Sequence, residues 1–184
     1  MSGEDRLRWD QRYGERDPVS VDHVGLPSAF QPYAEVFPTA GHALDLACGL
    51  GAAAVWLARR GLDVLGCDVS PVAIARARGL ADAAGVSAHC RLEVVDLDDG
   101  LPTGPPVDVV VCTKFRDRRL DAPIVDRLAP GGLLAISACS EVDAASGPFR
   151  AAAGELVRAF GALEVIAERE GDGEAWLLAR RADR

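Results

Sequence analysis

Residues 42–68 read HALDLACGLGAAAVWLARRGLDVLGCD, and this stretch determines the predicted fold. Apolar residues over 42–46 predict a strand, a glycine turn follows, and residues 52–60 have the pattern of a helix. A second strand over residues 63–67 ends at Asp68. Gly49 and Gly51 carry no Cβ, so a ligand can approach the backbone N–H groups at the start of the helix. Asp68 is then placed to accept hydrogen bonds from a ribose diol.

Two classes of cofactor use such a unit. Residues 49–54 (GLGAAA) fit the fingerprint G-x-G-x-x-A of nicotinamide dinucleotide enzymes. Asp45, four residues before Gly49, would be poorly placed beside a pyrophosphate, whereas it suits a ligand that carries an ammonium group and a sulfonium. A nicotinamide-dependent reductase would also need a catalytic Tyr and Lys, and the sole lysine, Lys114, has no Tyr four residues before it. That enzyme class remains an alternative.

Residues 44–51 (LDLACGLG) resemble motif I of the class I S-adenosylmethionine-dependent methyltransferases, and residues 64–71 (VLGCDVSP) resemble the family's second motif. The family more often has Gly at the position of Ala47, and the β-carbon there predicts a negative φ. The resemblance implies S-adenosyl-L-methionine as cofactor and S-adenosyl-L-homocysteine as product. It implies that Asp68 binds the ribose hydroxyls, that Val69 lies against the adenine, and that Asp96 accepts from the adenine amino group. The cofactor residues it implies are Asp45, Ala47, Gly49, Gly51, Asp68, Val69, Asp96, Leu97 and Cys112.

Residues 9–13 (WDQRY) lie in a predicted short helix over residues 4–16. They resemble the opening of several small-molecule methyltransferases, those of the tellurite-resistance and thiopurine type, in which this helix closes over the cofactor. The resemblance adds Arg12 and Tyr13 as cofactor contacts.

Candidate acceptor residues follow the predicted fourth strand, where Lys114 and Arg116 could hold an anionic substrate or could be surface charges beside Asp117. The other candidates are His23, Tyr33, Glu141, Phe149 and Arg150.

No catalytic residue is assigned, because methyl transfer from a sulfonium needs alignment and exclusion of water more than a protein nucleophile. No metal site is predicted.

The rest of the chain completes an α/β pattern. Ser70-Pro71 predicts a helix start, Gly85 its end, and residues 89–95 and 107–112 two further strands. Residues 28–36 predict a short helix, and residues 150–160 another. Residues 128–136 (LAPGGLLAI) resemble the turn that precedes the family's fifth strand. Residues 163–169 and 175–180, joined by Gly-Asp-Gly, predict a hairpin. Together they predict a doubly wound, mostly parallel, seven-stranded Rossmann-like methyltransferase sheet that ends in an antiparallel hairpin.

Composition sets further bounds. With 184 residues, 49% of them hydrophobic, the chain is predicted to be one domain, with an N-terminal cap over residues 1–40 and a core over 41–184. A net charge of −8 argues against non-specific binding to nucleic acid or to an anionic membrane. No apolar run approaches 18 residues and no leader pattern is present, so a cytoplasmic location is expected. The five cysteines form no C-x-x-C pair, which argues against zinc or a disulfide framework.

The predicted function is transfer of a methyl group from S-adenosylmethionine to a small-molecule acceptor, by in-line displacement. The chain lacks the Asn-Pro-Pro-Tyr or Asp-Pro-Pro-Tyr element of family members that methylate nucleic acid or protein amides, and residues 112–115 (CTKF) stand in its place. No nucleic-acid or membrane partner is expected, and the protein is expected to be a monomer or a homodimer. A non-catalytic module that binds the cofactor or a partner is the other alternative.

Overall fold

A computed structural model describes residues 3–145, 147 and 150–183, so the acceptor candidate Phe149 lies outside the described residues. The described residues contain seven strands of one mixed sheet. This confirms the predicted mixed seven-stranded sheet. The chain divides into two compact units, Met1–Pro102 and Thr103–Arg184, which are described in turn. Within the described part of the chain, no helix is long and apolar enough to cross a membrane.

The first unit carries the predicted opening unit with nearly its predicted bounds. Its three strands are parallel, with β2 paired to β1 on one side and to β3 on the other. Its helices and strands are α1 (Gly3–Gly14), β1 (His42–Leu46), α2 (Ala52–Arg59), β2 (Asp63–Asp68), α3 (Pro71–Ala83) and β3 (Cys90–Val94). Short 3-10 turns cover Val21–His23, Gln31–Val36 and Leu97–Asp99.

The second unit ends in the predicted hairpin. In it β4 and β5 are parallel, and β7 pairs antiparallel with both β5 and β6. Its elements are β4 (Val107–Cys112), α4 (Asp121–Arg127), β5 (Leu128–Cys139), α5 (Glu155–Ala159), β6 (Glu164–Gly171) and β7 (Glu174–Arg180), with a 3-10 turn at Arg118–Leu120. Asp172 at the hairpin turn has φ 54° between two glycines that also have positive φ, which explains the Gly-Asp-Gly sequence.

Local residue chemistry sets the start of α3. Ser70 Oγ accepts a 3.1 Å hydrogen bond from the Ala73 N–H, and Pro71 fills the first helical position, where a missing N–H costs nothing. The face that this helix buries consists of Ala73, Ile74, Ala77, Leu80 and Ala81.

Three boundaries differ from those predicted. The helix expected from residue 28 begins only at Gln31 and is of the 3-10 type, because Pro32 has no N–H to donate back to residue 28. The Pro-Gly-Gly turn expected before β5 lies inside β5, where Gly131 has φ 74° and the β4–β5 register shifts between Val107 and Val109. The helix expected over 150–160 is limited to α5.

The sheet ends on β6, which is mostly exposed. Val165 and Ile166 are 46% and 39% exposed, the largest apolar exposure on this strand. The β6–β7 register also breaks here, because Val165 pairs with Ala179 and Ala167 with Leu178, which leaves Ile166 as an extra residue. This is a β-bulge on an edge strand.

Candidate functional site

Three residues with positive φ form the turn after β1. Ala47 has φ 52°, Gly49 has φ 53° and Gly51 has φ 81°. The prediction of a negative φ at Ala47 is therefore wrong. The chain must reverse directly after β1, and the Cys48 N–H donates a 2.9 Å hydrogen bond to the Cys67 carbonyl there. That bond offsets a left-handed conformation that costs a residue with a β-carbon about 1–2 kcal/mol.

Gly51 makes room for protein rather than for a ligand. A β-carbon on Gly51 would lie 2.7 Å from the Ala77 Cβ on α3, which is closer than real β-carbons approach. The expectation that both glycines keep space free for a ligand therefore does not hold at Gly51, whose missing side chain lets α3 pack against the turn.

Asp68, at the end of β2, ties the glycine turn to α3. Its Oδ2 accepts a 2.9 Å hydrogen bond from the Gly49 N–H, and its Oδ1 accepts one of 2.9 Å from the Ser70 N–H. The residue is 4% exposed, and burial raises the pKa of its carboxyl, with the charge of Asp10 adding to the effect and the two backbone donors opposing it. The predicted ribose acid is thus preorganised by backbone donors of both neighbouring segments.

Asp45, in β1, has a carboxylate oxygen that no hydrogen bond satisfies. The residue is 2% exposed, and its Oδ2 has no partner among the described residues. Burial raises the pKa of Asp45 to about 8, the Ala54 N–H at the start of α2 lowers it, and the charge of Asp68 raises it further. A buried acceptor without a donor is costly, so this atom fits a ligand that brings a cationic donor.

Tyr13 on α1 lies over the glycine turn. A β-carbon on Gly49 would lie 3.0 Å from the Tyr13 hydroxyl oxygen, and Tyr13 is 8% exposed. Burial, followed by the charge of Asp68, raises the pKa of the phenol, so it stays protonated. Trp9 stacks on Tyr13 at 5.5 Å, and the exposed Arg12 lies 5.1 Å over the Trp9 ring. The structure thus brings Tyr13 to the turn and leaves Arg12 on the outer side of Trp9.

The residues predicted to face the adenine lie after β2 and β3. Val69 and Leu97 are 7% and 4% exposed. Asp96 is half-buried and caps the 3-10 turn that follows it, because its Oδ1 accepts a 3.0 Å hydrogen bond from the Asp98 N–H. Asp96 thus has the structural role of a turn cap, beside its predicted role toward adenine.

Three cysteines in the first unit are protonated at neutral pH. Burial raises the pKa of Cys67 to about 12 and that of Cys90 to about 11, and burial also raises the pKa of Cys48. These thiols therefore behave as small apolar side chains.

In the second unit, Arg116 is held by acids of its own unit. Its side chain is 2% exposed, and it donates to both oxygens of Asp121 at 2.5 and 2.8 Å and to Glu155 Oε1 at 2.7 Å. Burial would raise the pKa of Glu155, but hydrogen bonds from Arg118, the Ala152 N–H and Arg116 outweigh it and lower the pKa to about 2. The expectation that Arg116 holds an anionic substrate is replaced by a structural role, because two carboxylates already occupy its guanidinium.

Cys112 is the last residue of β4, and Lys114 lies two residues after it. Cys112 is 2% exposed, whereas Lys114 is exposed and has φ 56°, a strained value for a residue with a side chain. The Lys114 N–H donates a 3.2 Å hydrogen bond to Ser137 Oγ, which holds this backbone in place. Lys114 therefore presents an exposed ammonium from a fixed backbone position.

The remaining acceptor candidates are spread over both units. In the first unit His23 is exposed at the end of a 3-10 turn, and Tyr33 is half-buried at a kink with φ −108°. In the second unit Glu141 donates its N–H to the Ala151 carbonyl at 2.9 Å, and Arg150 donates from its guanidinium to the Ser140 carbonyl at 2.6 Å. The side chain of Arg150 thus fixes the loop that carries Glu141.

Two residues that fix α1 near the turn were not predicted from the sequence. Asp10 accepts a hydrogen bond from Ser70 Oγ, and Arg76 donates to carbonyls at the end of α1. Asp10 lies inside the WDQRY stretch, so that motif contained the signal, but its partner 60 residues away could not be read from the sequence.

Comparison with known proteins agrees with this geometry. Residues 43–132 match a family model described as a methyltransferase domain. A curated relative, an uncharacterised RNA methyltransferase from Parasynechococcus marenigrum (strain WH8102), is 29% identical over 102 residues. The match covers 54% of this chain but only 22% of that relative, so the chain spans about a fifth of the relative's length.

Two solved structures share the fold. The N-methyltransferase NodS from Bradyrhizobium japonicum WM9, in complex with S-adenosyl-L-homocysteine, is 19% identical with a TM-score of 0.71, over 96% of this chain and 97% of that one. TehB from Haemophilus influenzae is 20% identical with a TM-score of 0.70, over 96% of this chain and 66% of that one. The family model bears out the methyltransferase resemblance found in the sequence, and the two solved structures show that the fold is shared.

Proposed function

We propose that this protein is an enzyme that transfers a methyl group from S-adenosyl-L-methionine to a small-molecule acceptor. The match of residues 43–132 to a methyltransferase-domain model supports the transfer reaction. The observation that carries the proposal is the unpaired Oδ2 of Asp45, which is buried directly before a turn of backbone N–H groups. A cofactor with an ammonium group supplies the missing donor. A pyrophosphate near the same carboxyl would disfavour its ionised form, whereas a cationic ligand favours that form.

The residues that would hold the cofactor lie in the first unit. Asp45 would face the cationic amino-acid end, and Asp68 would accept from the ribose hydroxyls. Val69, Asp96 and Leu97 would surround the adenine. Each carboxylate oxygen can accept two hydrogen bonds, so Asp68 can bind a diol while it keeps the Gly49 and Ser70 donors.

The cofactor supplies an activated methyl group, since its sulfonium is a good leaving group. When bound, it would donate this methyl group to the acceptor's nucleophilic atom and leave as S-adenosyl-L-homocysteine, with the electron pair of the broken carbon–sulfur bond on sulfur. The protein's contribution is to align the two reactants and to exclude water. Tyr13, which is buried over Gly49, is the described side chain best suited to exclude water from the turn.

A small acceptor is favoured over RNA. The chain's net charge of −8 opposes binding to a polyanion, which needs basic residues to neutralise phosphates. The RNA methyltransferase relative is much longer, and the chain spans only 22% of it. Lys114 is the candidate contact for the acceptor, because its ammonium is exposed on a fixed backbone. A cytoplasmic location, a monomeric or homodimeric state and a single domain over residues 1–184 belong to the same proposal.

Calorimetric titration tests the cofactor. S-adenosyl-L-homocysteine and S-adenosyl-L-methionine should bind with micromolar affinity, about −8 kcal/mol, while NADH and NADPH should give no heat. Binding of a nicotinamide cofactor instead would refute the proposal and would favour a reductase. If none of the four ligands bound, the alternative of a non-catalytic module that binds a partner would be favoured.

The acceptor class requires a second experiment. The purified protein is incubated with methyl-labelled S-adenosylmethionine and either the small metabolites or the total RNA of a bacterial extract. Label should enter the small-molecule fraction, and Asp45→Asn should abolish it. Label in RNA alone would reject the small-molecule acceptor but keep the methyltransferase, and binding without any transfer would indicate a non-catalytic module.

A further inference from the structure

Asp10, on α1, takes part in capping α3. Its Oδ1 accepts a hydrogen bond of 2.5 Å from Ser70 Oγ and one of 3.5 Å from the Val72 N–H. Val72 lies in the first turn of α3, where N–H groups have no partner within the helix and where the helix dipole favours a negative charge. A carboxylate of one helix thus completes the N-terminus of the other.

Arg76, on α3, caps α1 in return. Its guanidinium donates a 3.1 Å hydrogen bond to the Gly14 carbonyl and one of 2.6 Å to the Arg16 carbonyl. Carbonyls at a helix C-terminus lack helical partners, and a cation there is favoured by the dipole. Hydrogen bonds therefore hold the segment from Asp10 to Arg16 against α3 at both of its ends.

Tyr13 lies between the hydrogen bonds made by Asp10 and those made by Arg76, with its hydroxyl over Gly49. The same hydrogen-bond system continues inward, since Ser70 donates its N–H to Asp68, and Asp68 accepts from the Gly49 N–H. In this arrangement the Tyr13 ring covers the side of Gly49 to which a β-carbon would point. A ligand therefore needs α1 to move before it can approach Gly49 from that side.

We infer that Asp10 and Arg76 are positioning residues that hold Tyr13 over the glycine turn, and that release of α1 from α3 is the step that admits the cofactor and lets it leave. This inference rests on the proposed function, because it assigns the regulation of the same site. When only the released form takes up ligand, the apparent association rate is the intrinsic rate multiplied by the released fraction. The docked form likewise slows dissociation, so both rates depend on the same two contacts.

Stopped-flow kinetics of S-adenosyl-L-homocysteine binding test the inference with Asp10→Ala and Arg76→Gln. Both the association and the dissociation rate constants should rise at least about fivefold, while the dissociation constant changes less than about threefold. Arg76→Lys keeps one cationic donor and should show a smaller rise. The matched control is Arg59→Gln, because Arg59 also donates to a backbone carbonyl, that of Val21 at 3.3 Å, but away from α1. Its rates should equal those of the parent.

Trp9 provides the signal, because it stacks on Tyr13. A background with Trp56→Phe and Trp176→Phe isolates its fluorescence. Association rates that stay at the parent value in both variants would overturn the inference. So would weaker binding caused by faster dissociation alone, which is what general loosening of the fold would produce.

Amide hydrogen exchange supplies a readout that needs no ligand. Amides of residues 6–14 should exchange faster in Asp10→Ala and Arg76→Gln than in the parent and in Arg59→Gln, and unchanged exchange would overturn the inference. If the parent protein does not bind S-adenosyl-L-homocysteine, the proposed function is wrong. The hydrogen-exchange experiment still decides whether Asp10 and Arg76 hold α1.

Discussion

The backbone N–H of Gly49 donates a 2.9 Å hydrogen bond to Asp68 Oδ2, across 19 residues of sequence. This bond joins the turn after β1 to the end of β2, and the Ser70 N–H occupies the other carboxylate oxygen. The acid that would meet the ribose is therefore also the residue that fixes the turn. Its removal is expected to affect both ligand binding and stability.

Asp68→Ala should weaken S-adenosyl-L-homocysteine binding by about 1.5–3 kcal/mol, the range for hydrogen bonds to a charged group. It should also lower stability, because the buried N–H groups of Gly49 and Ser70 lose their acceptor. Calorimetry and urea unfolding measure the two effects. Asp63→Ala, at the opposite end of the same strand and exposed, is the control and should leave affinity unchanged. Parent-like affinity in Asp68→Ala would contradict the proposed site.

Asp45 should make cofactor binding depend on pH. Its pKa is about 8 in the ligand-free protein, and a cationic ligand favours the ionised form. Between pH 6 and 7.5 the association constant should therefore rise by up to about tenfold per pH unit, with release of a proton. Calorimetry in buffers of different ionisation enthalpy counts that proton. In Asp45→Asn, binding should be weak and nearly independent of pH, whereas an equal slope in that variant would assign the effect to another group.

The same carboxyl predicts how ligand-free stability varies with pH. The folded protein keeps the Asp45 proton up to about pH 8, whereas an unfolded chain loses it near pH 4. Because the folded state binds more protons in this window, the free energy of unfolding should fall as pH rises from 4 to 8. Urea unfolding of the parent at pH 5 and pH 8 should show this loss. Asp45→Asn should lose less stability over the same interval, and a loss equal to the parent's would refute the assignment.

Gly51→Ala separates backbone strain from steric overlap. The new β-carbon would meet Ala77 Cβ at 2.7 Å on a backbone with φ 81°. Gly85→Ala is the matched control. Gly85 has a similar φ of 71°, but a β-carbon added there would have no neighbouring atom within 4 Å. The control should cost about 1–2 kcal/mol, and Gly51→Ala should cost clearly more in urea unfolding. Adding Ala77→Gly should recover part of the excess, and equal costs for the two alanine variants would mean that α3 does not press on the turn.

Arg116 should matter for stability. Arg116→Met leaves the carboxylates of Asp121 and Glu155 without their buried cation, and loss of one partner of a buried pair typically costs about 3–5 kcal/mol. Arg118→Met is the control, because Arg118 also pairs with Glu155 but is 58% exposed, and it should cost less than about 1 kcal/mol. Denaturant midpoints compare the two. Similar small costs would reopen a ligand-binding role for Arg116.

Most of the fold could be predicted because local chemistry determines it. The bounds of β1 and β4 follow from mostly apolar runs, of which the first is followed by the glycine turn and the second by a polar segment. The start of α3 follows from Ser70-Pro71, and the hairpin follows from Gly-Asp-Gly. In each case the deciding contacts lie within a few residues of one another.

The features that could not be predicted depend on distant partners. The left-handed Ala47 is stabilised by Cys67, the Asp10–Ser70 contact spans 60 residues, and Arg116 meets Glu155 across 39. The sequence identifies Asp10 and Arg116 as charged, but only the fold supplies their partners and shows the positive φ of Ala47. Arg116 shows the consequence, since a cation after a strand suggests anion binding until its two carboxylates are known.

The bulge at Ile166 has a consequence for behaviour at high concentration. An edge strand offers free N–H and carbonyl groups on which another chain can add a strand, and exposed Val165 and Ile166 would favour such growth. The extra residue bends the strand and interrupts the regular spacing of these groups. Glu164 and Glu168 add repulsion between copies along the same strand. The bulge thus makes the edge strand β6 a poor template for strand addition by another copy, which protects the protein against aggregation.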